Sequence, residues 1–215
     1  MYQLYAFATP NSIKPVIALE ELGIDYQLHA VNVRQGEQRL PQFVERSPNA
    51  KVPVLTVTEG GHTMTLSESA AILVYLAERH GGLLPAGGEA RARVFEQLFF
   101  HASAVSPAFG QAGYFQKLAP EVLPAAVQRF HGEALRTLAL LDGILARHEY
   151  VAGATLSIAD IAHFGWIWRR AFAGVDLDDS PNVARWFAAM LQRPAVQRAI
   201  GKVEALVPTN NSAHL

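Results

Sequence analysis

Two short stretches decide the fold: NAKVPVL at residues 49–55 and LSESAAI at residues 66–72. In the first, Pro53 stands at the start of the predicted strand Val52–Thr58, where a residue without an N–H cannot pair into the sheet. A cis Val52–Pro53 bond would turn the backbone of Val52 toward a cleft, where its N–H and C=O could pair with an extended peptide. The alternative is an ordinary trans proline at a strand edge, because only about one X–Pro bond in twenty is cis.

The second stretch begins a helix that the spacing of its apolar residues predicts over Ser67–His80. The backbone N–H groups of the first turn and the hydroxyl of Ser69 can hold a carboxylate, and Glu68 beside them can hold an ammonium. Together they fit the α-carboxylate and α-amine at the free end of an amino acid. The alternative is a plain serine cap with an acidic first turn.

A third polar stretch, ATPNS at residues 8–12, lies between a predicted strand over Gln3–Phe7 and a predicted helix that ends before Gly23. Free N–H groups and the positive end of the dipole meet at a helix start, which favours an anion or a thiolate. Thr9, Asn11 and Ser12 can all donate hydrogen bonds there. The alternative is that Asn11 or Ser12 only caps the helix.

The order of elements predicts two domains. Residues 1–80 follow the pattern β-α-β and then β-β-α, which is typical of a small α/β sandwich. GGLLPAGG, residues 81–88, is predicted to be a linker. Residues 89–215 are predicted to form an all-α domain, in which a long amphipathic helix follows Leu123.

Composition narrows the class of function. The 215 residues carry a formal net charge of −1, which argues against a nucleic-acid partner because such domains carry a basic excess. There is no cysteine, so a disulfide framework, a thiolate metal site and a protein thiol nucleophile are all excluded. Any thiol chemistry must therefore use a thiol brought from outside.

Neither a membrane nor a metal is expected as a partner. The longest strongly apolar stretch, AAILVYLA at residues 70–77, is far shorter than the ~18 residues of a membrane helix. No basic residue precedes Lys14, so a secretory leader is not expected and the predicted location is the cytoplasm. The eight histidines are scattered without an HExxH-like pattern, which predicts no metal site.

SIAD, residues 157–160, could be taken for a catalytic serine–aspartate pair. The spacing is better explained by a capping box, in which Ser157 caps a helix and Asp160 reaches back to the backbone of the cap. We therefore predict a structural role for both residues.

KVP, ESAAI and SIAD, in this order and spacing, resemble the glutathione S-transferase superfamily over nearly the whole chain. ATPNS, SPNAKVP and FGQAGYFQKLAP (residues 109–120) are most similar to the bacterial Nu class, whose fungal relatives include a nitrogen-regulator prion protein. The resemblance implies a thioredoxin-like α/β N-terminal domain, an all-α C-terminal domain, a homodimer and glutathione as co-substrate.

The resemblance also implies which groups hold the glutathione sulfur. Thr9 and Asn11 match the positions that donate to it. The chain departs from better-known classes by having no cysteine at this turn. Ser12, of the kind that serine-type classes use, and Tyr5 in the first strand are rival donors.

The rest of glutathione is assigned by the same resemblance. Gln38 would reach the glycine end, and Lys51 matches a position near the glycyl carboxylate. Val52, before a presumed cis Pro53, would pair with the cysteinyl backbone. Glu68 and Ser69 would take the γ-glutamyl end.

Two expectations concern the helical domain. Arg129 matches an arginine that helps to hold the ligand, within its own chain or across a dimer interface; the alternative is a solvated surface arginine. We expect the second substrate, a small disulfide or an electrophile, to lie in a pocket formed by residues of this domain. Those residues are Phe99, His101, Gln111, Tyr114 and Trp166.

The predicted function is therefore a glutathione transferase that activates the glutathione thiolate. Reduction of disulfide bonds is the favoured chemistry, because glutathione or oxidised glutathione can exchange with a small disulfide without any protein thiol. Conjugation to an electrophilic carbon and reduction of a hydroperoxide use the same thiolate. The alternative is a non-catalytic regulatory protein that binds glutathione on the same fold.

Overall fold

The computed structural model of the chain describes residues 1–208. A four-stranded mixed sheet with helices packed on it is followed by a bundle of helices, as the sequence predicted. The strands are β1 (Tyr2–Ala6), β2 (Tyr26–Ala30), β3 (Val54–Glu59) and β4 (His62–Ser67). The helices are α1 (Ile13–Glu21), α2 (Pro41–Val44), α3 (Ser69–His80), α4 (Gly88–Phe100), α5 (Ser106–Lys117), α6 (Pro124–Leu145), α7 (Ile158–Trp168), α8 (Pro181–Leu191) and α9 (Pro194–Glu204). Two 3₁₀ turns lie at Glu37–Arg39 and Arg170–Ala173, and a π-helical turn, His101–Val105, joins α4 to α5.

The sheet has the strand order β2-β1-β3-β4. β1 and β2 are parallel and are joined by α1, whereas β1 pairs antiparallel with β3, and β3 antiparallel with β4. Tyr5 lies opposite Val54, and Val54 lies opposite Ser67. The end of β1, the start of β3 and the end of β4 therefore meet at one end of the sheet.

The β3–β4 hairpin turns on Gly60 and Gly61, which have φ of 56° and 79°. Two successive positive φ angles are what a two-residue hairpin loop requires, and glycine adopts them without steric cost. The third strand was predicted from Val52 but begins at Val54, because Pro53 has no N–H to donate to the ladder.

Helix α1 lies at the junction of the two parts of the molecule. It packs against α3 on the sheet side and against α7 and α9 of the helical part, so that residues 13–19 are all buried. Gly165 of α7 permits this approach, since a β-carbon there would collide with the carbonyl oxygen of Pro10. The guanidinium of Arg193 forms a double hydrogen bond to Glu21, 2.6 and 2.9 Å long, and holds the start of α9 against α1.

Helix α7 begins with the predicted capping box. The Ser157 hydroxyl oxygen accepts a hydrogen bond from the Ala159 N–H at 3.2 Å, and the Asp160 carboxylate accepts from the Ser157 N–H at 3.0 Å. The same carboxylate accepts from the Val151 N–H and from Nε1 of Trp186. The structural interpretation of SIAD is confirmed, and the α-helix that it begins extends to Trp168.

The predicted linker 81–88 has no helix until Gly88, where α4 begins. The division at residues 80 and 89 stays a prediction, and the last seven residues of the predicted helical domain, 209–215, lie outside the described residues. None of the helices within residues 1–208 combines the length and the apolar character needed to cross a bilayer.

Candidate functional site

A cleft of about 220 Å³ opens at the end of the sheet where β1, β3 and β4 meet. Its walls come from the turn after β1, the loop before β3 and the start of α3. The lining residues are Asn11, Ser47, Asn49, Lys51, Val52, Pro53, Ser67, Glu68 and Ser69. Six of the nine residues predicted from the sequence lie here, and the other three, Thr9, Gln38 and Arg129, do not line this cleft.

The loop before β3 offers an unpaired backbone to the cleft. The Val52–Pro53 peptide bond is cis, as one of the two alternatives predicted. Within residues 1–208 the N–H and C=O of Val52 make no hydrogen bond. Ser47, which the sequence analysis missed, braces the loop by donating to the Lys51 carbonyl at 3.0 Å and accepting from the Lys51 N–H at 3.3 Å. Val52 can therefore pair with an extended ligand as a strand edge does.

Helix α3 begins in a strained and uncapped way. Glu68 precedes it with φ 69° and ψ 112°, a region that non-glycine residues adopt at a cost of about 1–3 kcal/mol. No side chain caps the helix, so the N–H groups of its first turn have no side-chain partner within the described chain. The plain-cap alternative is wrong for α3. These N–H groups and the Ser69 hydroxyl are donors that can hold a carboxylate beside the Glu68 side chain.

In the turn after β1, two of the candidate donors, Thr9 and Ser12, are hydrogen-bonded to each other. The Thr9 hydroxyl donates to Ser12 Oγ at 2.9 Å and accepts from the Ser12 N–H at 3.1 Å. Ser12 Oγ also accepts from the Phe7 N–H at 3.3 Å, and its side chain is fully buried. Neither residue lines the cleft. Thr9 and Ser12 hold the turn together, while the role of Thr9 toward sulfur stays a prediction.

Tyr5, the other rival donor, lies apart from the cleft. Its ring stacks on His29 with centroids 4.8 Å apart, and the guanidinium of Arg46 lies 5.1 Å from the ring centroid. These contacts place the ring on the β2 and α2 side of the sheet. Of the candidate donors in the first strand and the turn, Asn11 alone among residues 1–208 lines the cleft.

The side chain of Asn11 is oriented by a buried lysine. Lys14 Nζ lies 2.7 Å from Asn11 Oδ1 and 2.7 Å from Nε2 of His101. Burial lowers the pKa of Lys14 to about 7, against the opposing effect of the Glu68 carboxylate. No hydrogen bond within residues 1–208 uses Asn11 Nδ2. The amide thus has its acceptor engaged inside the protein and its donor available.

His101 and His163 complete this buried group. Burial, reinforced by Lys14, holds the pKa of His101 well below its ordinary value. Burial lowers the pKa of His163 to about 3. The expectation that His101 lines an open pocket for a second substrate was wrong, because the residue is only 1% exposed and its ring contacts Lys14.

The remaining predicted residues lie around the cleft or away from it. Lys51 is exposed at the rim. Gln38 lies in the 3₁₀ turn, with its Oε1 buried and without a partner within the described residues. Arg129 is exposed on α6. Trp166 is nearly buried and donates from Nε1 to Ser106 Oγ at 2.8 Å, whereas Phe99 is exposed.

Within residues 1–208, no group of three or more His, Cys, Asp or Glu side chains is placed so that it could hold a metal ion. The cleft offers polar donors, the Lys51 ammonium, an uncapped helix start and the Glu68 carboxylate.

Comparison with known proteins gives two matches to family profiles. "Glutathione S-transferase, N-terminal domain" matches residues 1–78, and "Glutathione S-transferase, C-terminal domain" matches residues 101–194. Among characterised relatives, the disulfide-bond oxidoreductase YfcG of Escherichia coli is 35% identical over 209 residues, which cover 95% of this chain and 96% of that protein.

Two solved structures are similar over almost the whole chain. A glutathione transferase family member from Pseudomonas fluorescens, with two glutathione bound, is 37% identical with a TM-score of 0.87 and covers 93% of this chain and 92% of its own. A glutathione transferase from Pseudomonas putida, with one glutathione disulfide bound per subunit, is 35% identical with a TM-score of 0.85, covering 93% of this chain and 90% of its own. Both support the fold.

Proposed function

The chain belongs to the glutathione S-transferase family, and from that premise we propose that it binds glutathione in the cleft between the turn after β1 and the start of α3, and uses the glutathione thiolate to reduce disulfides. The characterised relative YfcG is named as a disulfide-bond oxidoreductase, and the similar P. putida structure holds glutathione disulfide. The chain has no cysteine, so the reacting sulfur in this chemistry must be supplied by the ligand.

The single observation that carries the proposal is the amide of Asn11. Its Oδ1 accepts a hydrogen bond from Lys14 Nζ, 2.7 Å away, and the residue lines the cleft. A free thiol has a pKa near 8.5, so little of it is ionised at neutral pH. A donor hydrogen bond to the sulfur favours the charged form and lowers that pKa.

The other contacts are proposed from the same geometry. Val52 pairs with the cysteinyl backbone beside Pro53, and Glu68 and Ser69 hold the amine and carboxylate of the γ-glutamyl end. Lys51 at the rim takes the glycyl carboxylate. We keep as a proposal that Gln38, whose buried Oε1 lacks a partner in the described chain, reaches the glycine end.

The reaction consists of two thiol–disulfide exchanges. The thiolate of one glutathione attacks a sulfur of a small disulfide, forming a mixed disulfide and releasing the first thiolate. The thiolate of a second glutathione attacks the mixed disulfide, releasing the second thiolate and oxidised glutathione. Two electrons pass from two glutathiones to the substrate, and the protein forms no covalent bond. Conjugation to an electrophile and reduction of a hydroperoxide begin from the same thiolate.

Assembly and location are part of the proposal. We propose a homodimer, in which Arg129, exposed on α6 and outside the cleft of its own chain, acts across the interface. We place the protein in the cytoplasm, where glutathione keeps thiols reduced. Light scattering that shows only monomer at working concentration would contradict the first of these statements.

The test is turnover by the purified protein with glutathione and hydroxyethyl disulfide, and separately with a chloronitrobenzene. We expect disulfide turnover to exceed conjugation, and Asn11→Ala to reduce it at least about tenfold, or about 1.4 kcal/mol of transition-state stabilisation. Ser12→Ala and Tyr5→Phe are the matched comparisons and should retain far more activity.

Two results would contradict the proposal. Glutathione binding without turnover of either substrate would favour the non-catalytic regulatory protein. Full activity of Asn11→Ala, with Ser12→Ala or Tyr5→Phe inactive, would move the donor role to another residue.

A further inference from the structure

Lys14 is a buried cation that packing does not explain. It lies in the first turn of α1 and is 1% exposed. No carboxylate within residues 1–208 forms an ion pair with it. Lysine is almost never fully buried without such a pair, and the positive end of the helix dipole repels a cation at this position. An apolar residue of similar length would suit the surroundings better.

The amine of Lys14 is held at one point by two acceptors. Lys14 Nζ lies 2.7 Å from both Asn11 Oδ1 and His101 Nε2, and in its protonated form, which only donates, it donates to both. Burial keeps His101 neutral, so its proton then lies on Nδ1, which has no partner among the described residues. Its ring meets the ring of His163 edge-on with centroids 4.9 Å apart, and His163 Nε2 lies 3.2 Å from the Gln97 carbonyl oxygen, to which it donates. These contacts with residues of the helical domain hold the amine of Lys14 in place.

The amine in turn fixes the amide of Asn11. A side-chain amide has an acceptor oxygen and a donor nitrogen at opposite corners. Rotating it by half a turn would place its NH₂ against the amine of Lys14, so only the orientation with Oδ1 toward Lys14 is satisfied. A hydrogen bond to the oxygen also polarises the amide and strengthens its N–H groups as donors.

We propose that Lys14 is a positioning residue for disulfide reduction, which holds the amide nitrogen of Asn11 toward the cleft and strengthens it as a donor to the glutathione sulfur. This inference rests on the proposed function, in which Asn11 is the donor. Lys14 itself does not line the cleft, so it acts through Asn11.

The charge of Lys14 adds to this effect. The titratable and charged groups that face it are His101 on the π-helical turn, His163 on α7 and Glu68 before α3. Burial lowers the pKa of Lys14 to about 7. An anion that forms nearby therefore raises this pKa and favours the protonated amine. Coupling between two sites is reciprocal. If Lys14 stabilises a thiolate in the cleft, the thiolate must raise the pKa of Lys14.

The first experiment measures the thiol pKa of bound glutathione from the ultraviolet absorbance of its thiolate. It uses the full-length protein and the variants Lys14→Met, Lys14→Gln, Asn11→Ala and the double variant Lys14→Met/Asn11→Ala. Methionine keeps the length of the side chain and the helix, and glutamine keeps an N–H donor without the charge. Lys202→Met, which removes an exposed lysine on α9, is the control.

For Lys14→Met we expect a rise of about one unit in the thiol pKa and about a tenfold loss of kcat at neutral pH. KM should change much less, and the loss should shrink as pH rises. Lys14→Gln should lose less kcat than Lys14→Met, because glutamine keeps an N–H donor. Because Lys14 acts mainly through Asn11, the double variant should lose much less activity than the sum of the two single losses.

The outcomes separate the two proposals. If Asn11→Ala raises the thiol pKa and Lys14→Met leaves it unchanged, the positioning role is wrong and the proposed function stands. The positioning role is also wrong if the two losses simply add in the double variant. An unchanged thiol pKa in Asn11→Ala itself would instead overturn the donor assignment on which both proposals rest.

A second experiment needs no variant, and it decides the question even if Lys14→Met fails to fold. The amine of Lys14 is titrated by nitrogen NMR in the wild-type protein, first with glutathione and then with S-methylglutathione, which has no ionisable thiol. We expect glutathione alone to raise the Lys14 pKa. An equal change with both ligands, or none with either, would overturn the proposal.

Discussion

The starts of α7 and α1 each hold a charged side chain away from water, and they differ in every other respect. Asp160 in the first turn of α7 is fully buried, carries the sign that the helix dipole favours and accepts four hydrogen bonds. Lys14 in the first turn of α1 carries the opposite sign and has two acceptors and no ion pair among the described residues. Burial raises the pKa of Asp160 to about 6, so the hydrogen bonds that it accepts, rather than its charge, hold the start of α7, whereas we propose that Lys14 serves the cleft beside it.

The start of α3 extends the same comparison. The capping box closes the first turn of α7, whereas no side chain caps α3 and Glu68 holds an unfavourable backbone angle there. A helix start that the protein leaves open at a cleft is available to a ligand. We expect the capped start of α7 to govern stability and the uncapped start of α3 to govern ligand binding.

The largest effect on stability is expected at the capped start of α7. Asp160→Ala should lower the free energy of unfolding by about 3–5 kcal/mol, because it leaves buried N–H groups of Val151, Ser157 and Trp186 without an acceptor. Urea unfolding measures this loss, with Asp179→Ala on the surface as the control. Lys14→Met should unfold at the same urea concentration as wild type or higher. If Asp160→Ala and Lys14→Met lowered the free energy of unfolding equally, the two buried side chains would not differ in their roles as proposed.

The next effect appears in the pH dependence of stability. The pKa of Lys14 is lowered to about 7 in the folded protein from 10.5, so between these values the unfolded chain binds the additional proton. The contribution of Lys14 to unfolding free energy therefore rises with pH across this window, by at most about 1.4 kcal/mol per pH unit. The difference between wild type and Lys14→Met should follow that slope, and a flat difference from pH 7 to pH 9 would contradict it.

At the uncapped start of α3, Glu68→Ala should weaken glutathione binding by about 2 kcal/mol, which is typical of a lost hydrogen bond to a charged group. KM for glutathione should rise with kcat little changed, since the γ-glutamyl end is held equally in the ground and transition states. Calorimetry and steady-state kinetics measure the two effects, with Glu45→Ala as an exposed control. A fall in kcat at constant KM would place Glu68 in the chemical step instead.

The smallest effects are expected from a matched pair of serines. Ser157→Ala removes a cap and should lower the unfolding free energy by about 1 kcal/mol, whereas Ser69→Ala should leave stability unchanged and weaken glutathione binding. Both changes delete one hydroxyl at a helix start. If Ser69→Ala costs as much stability as Ser157→Ala, the two helix starts do not differ in the way proposed here.

Local patterns were sufficient to predict the fold. Strand alternation, the apolar faces of the helices, and SIAD as a capping box depend on neighbours along the chain, and the structure confirms them. The cleft could be predicted as far as Val52–Pro53 and Glu68–Ser69, because the end of β1, the start of β3 and the end of β4 meet at one end of this sheet.

Three features could not be predicted because they depend on packing between distant segments. Lys14 lies in IKPVIAL, where every residue from 13 to 19 is buried, so no periodicity separates a buried face from an exposed one. His101, 87 residues away, meets it only in the folded protein. The uncapped start of α3 depends on the backbone angle of Glu68, which sequence does not reveal.

The most direct test of the account is a crystal structure of the protein with glutathione. We predict that Nδ2 of Asn11 lies within hydrogen-bonding distance of the sulfur while Oδ1 keeps its bond to Lys14, and that the γ-glutamyl end lies at the start of α3. A well-ordered glutathione whose sulfur is contacted by Ser12 or Tyr5, with the amide of Asn11 turned away, would contradict the account.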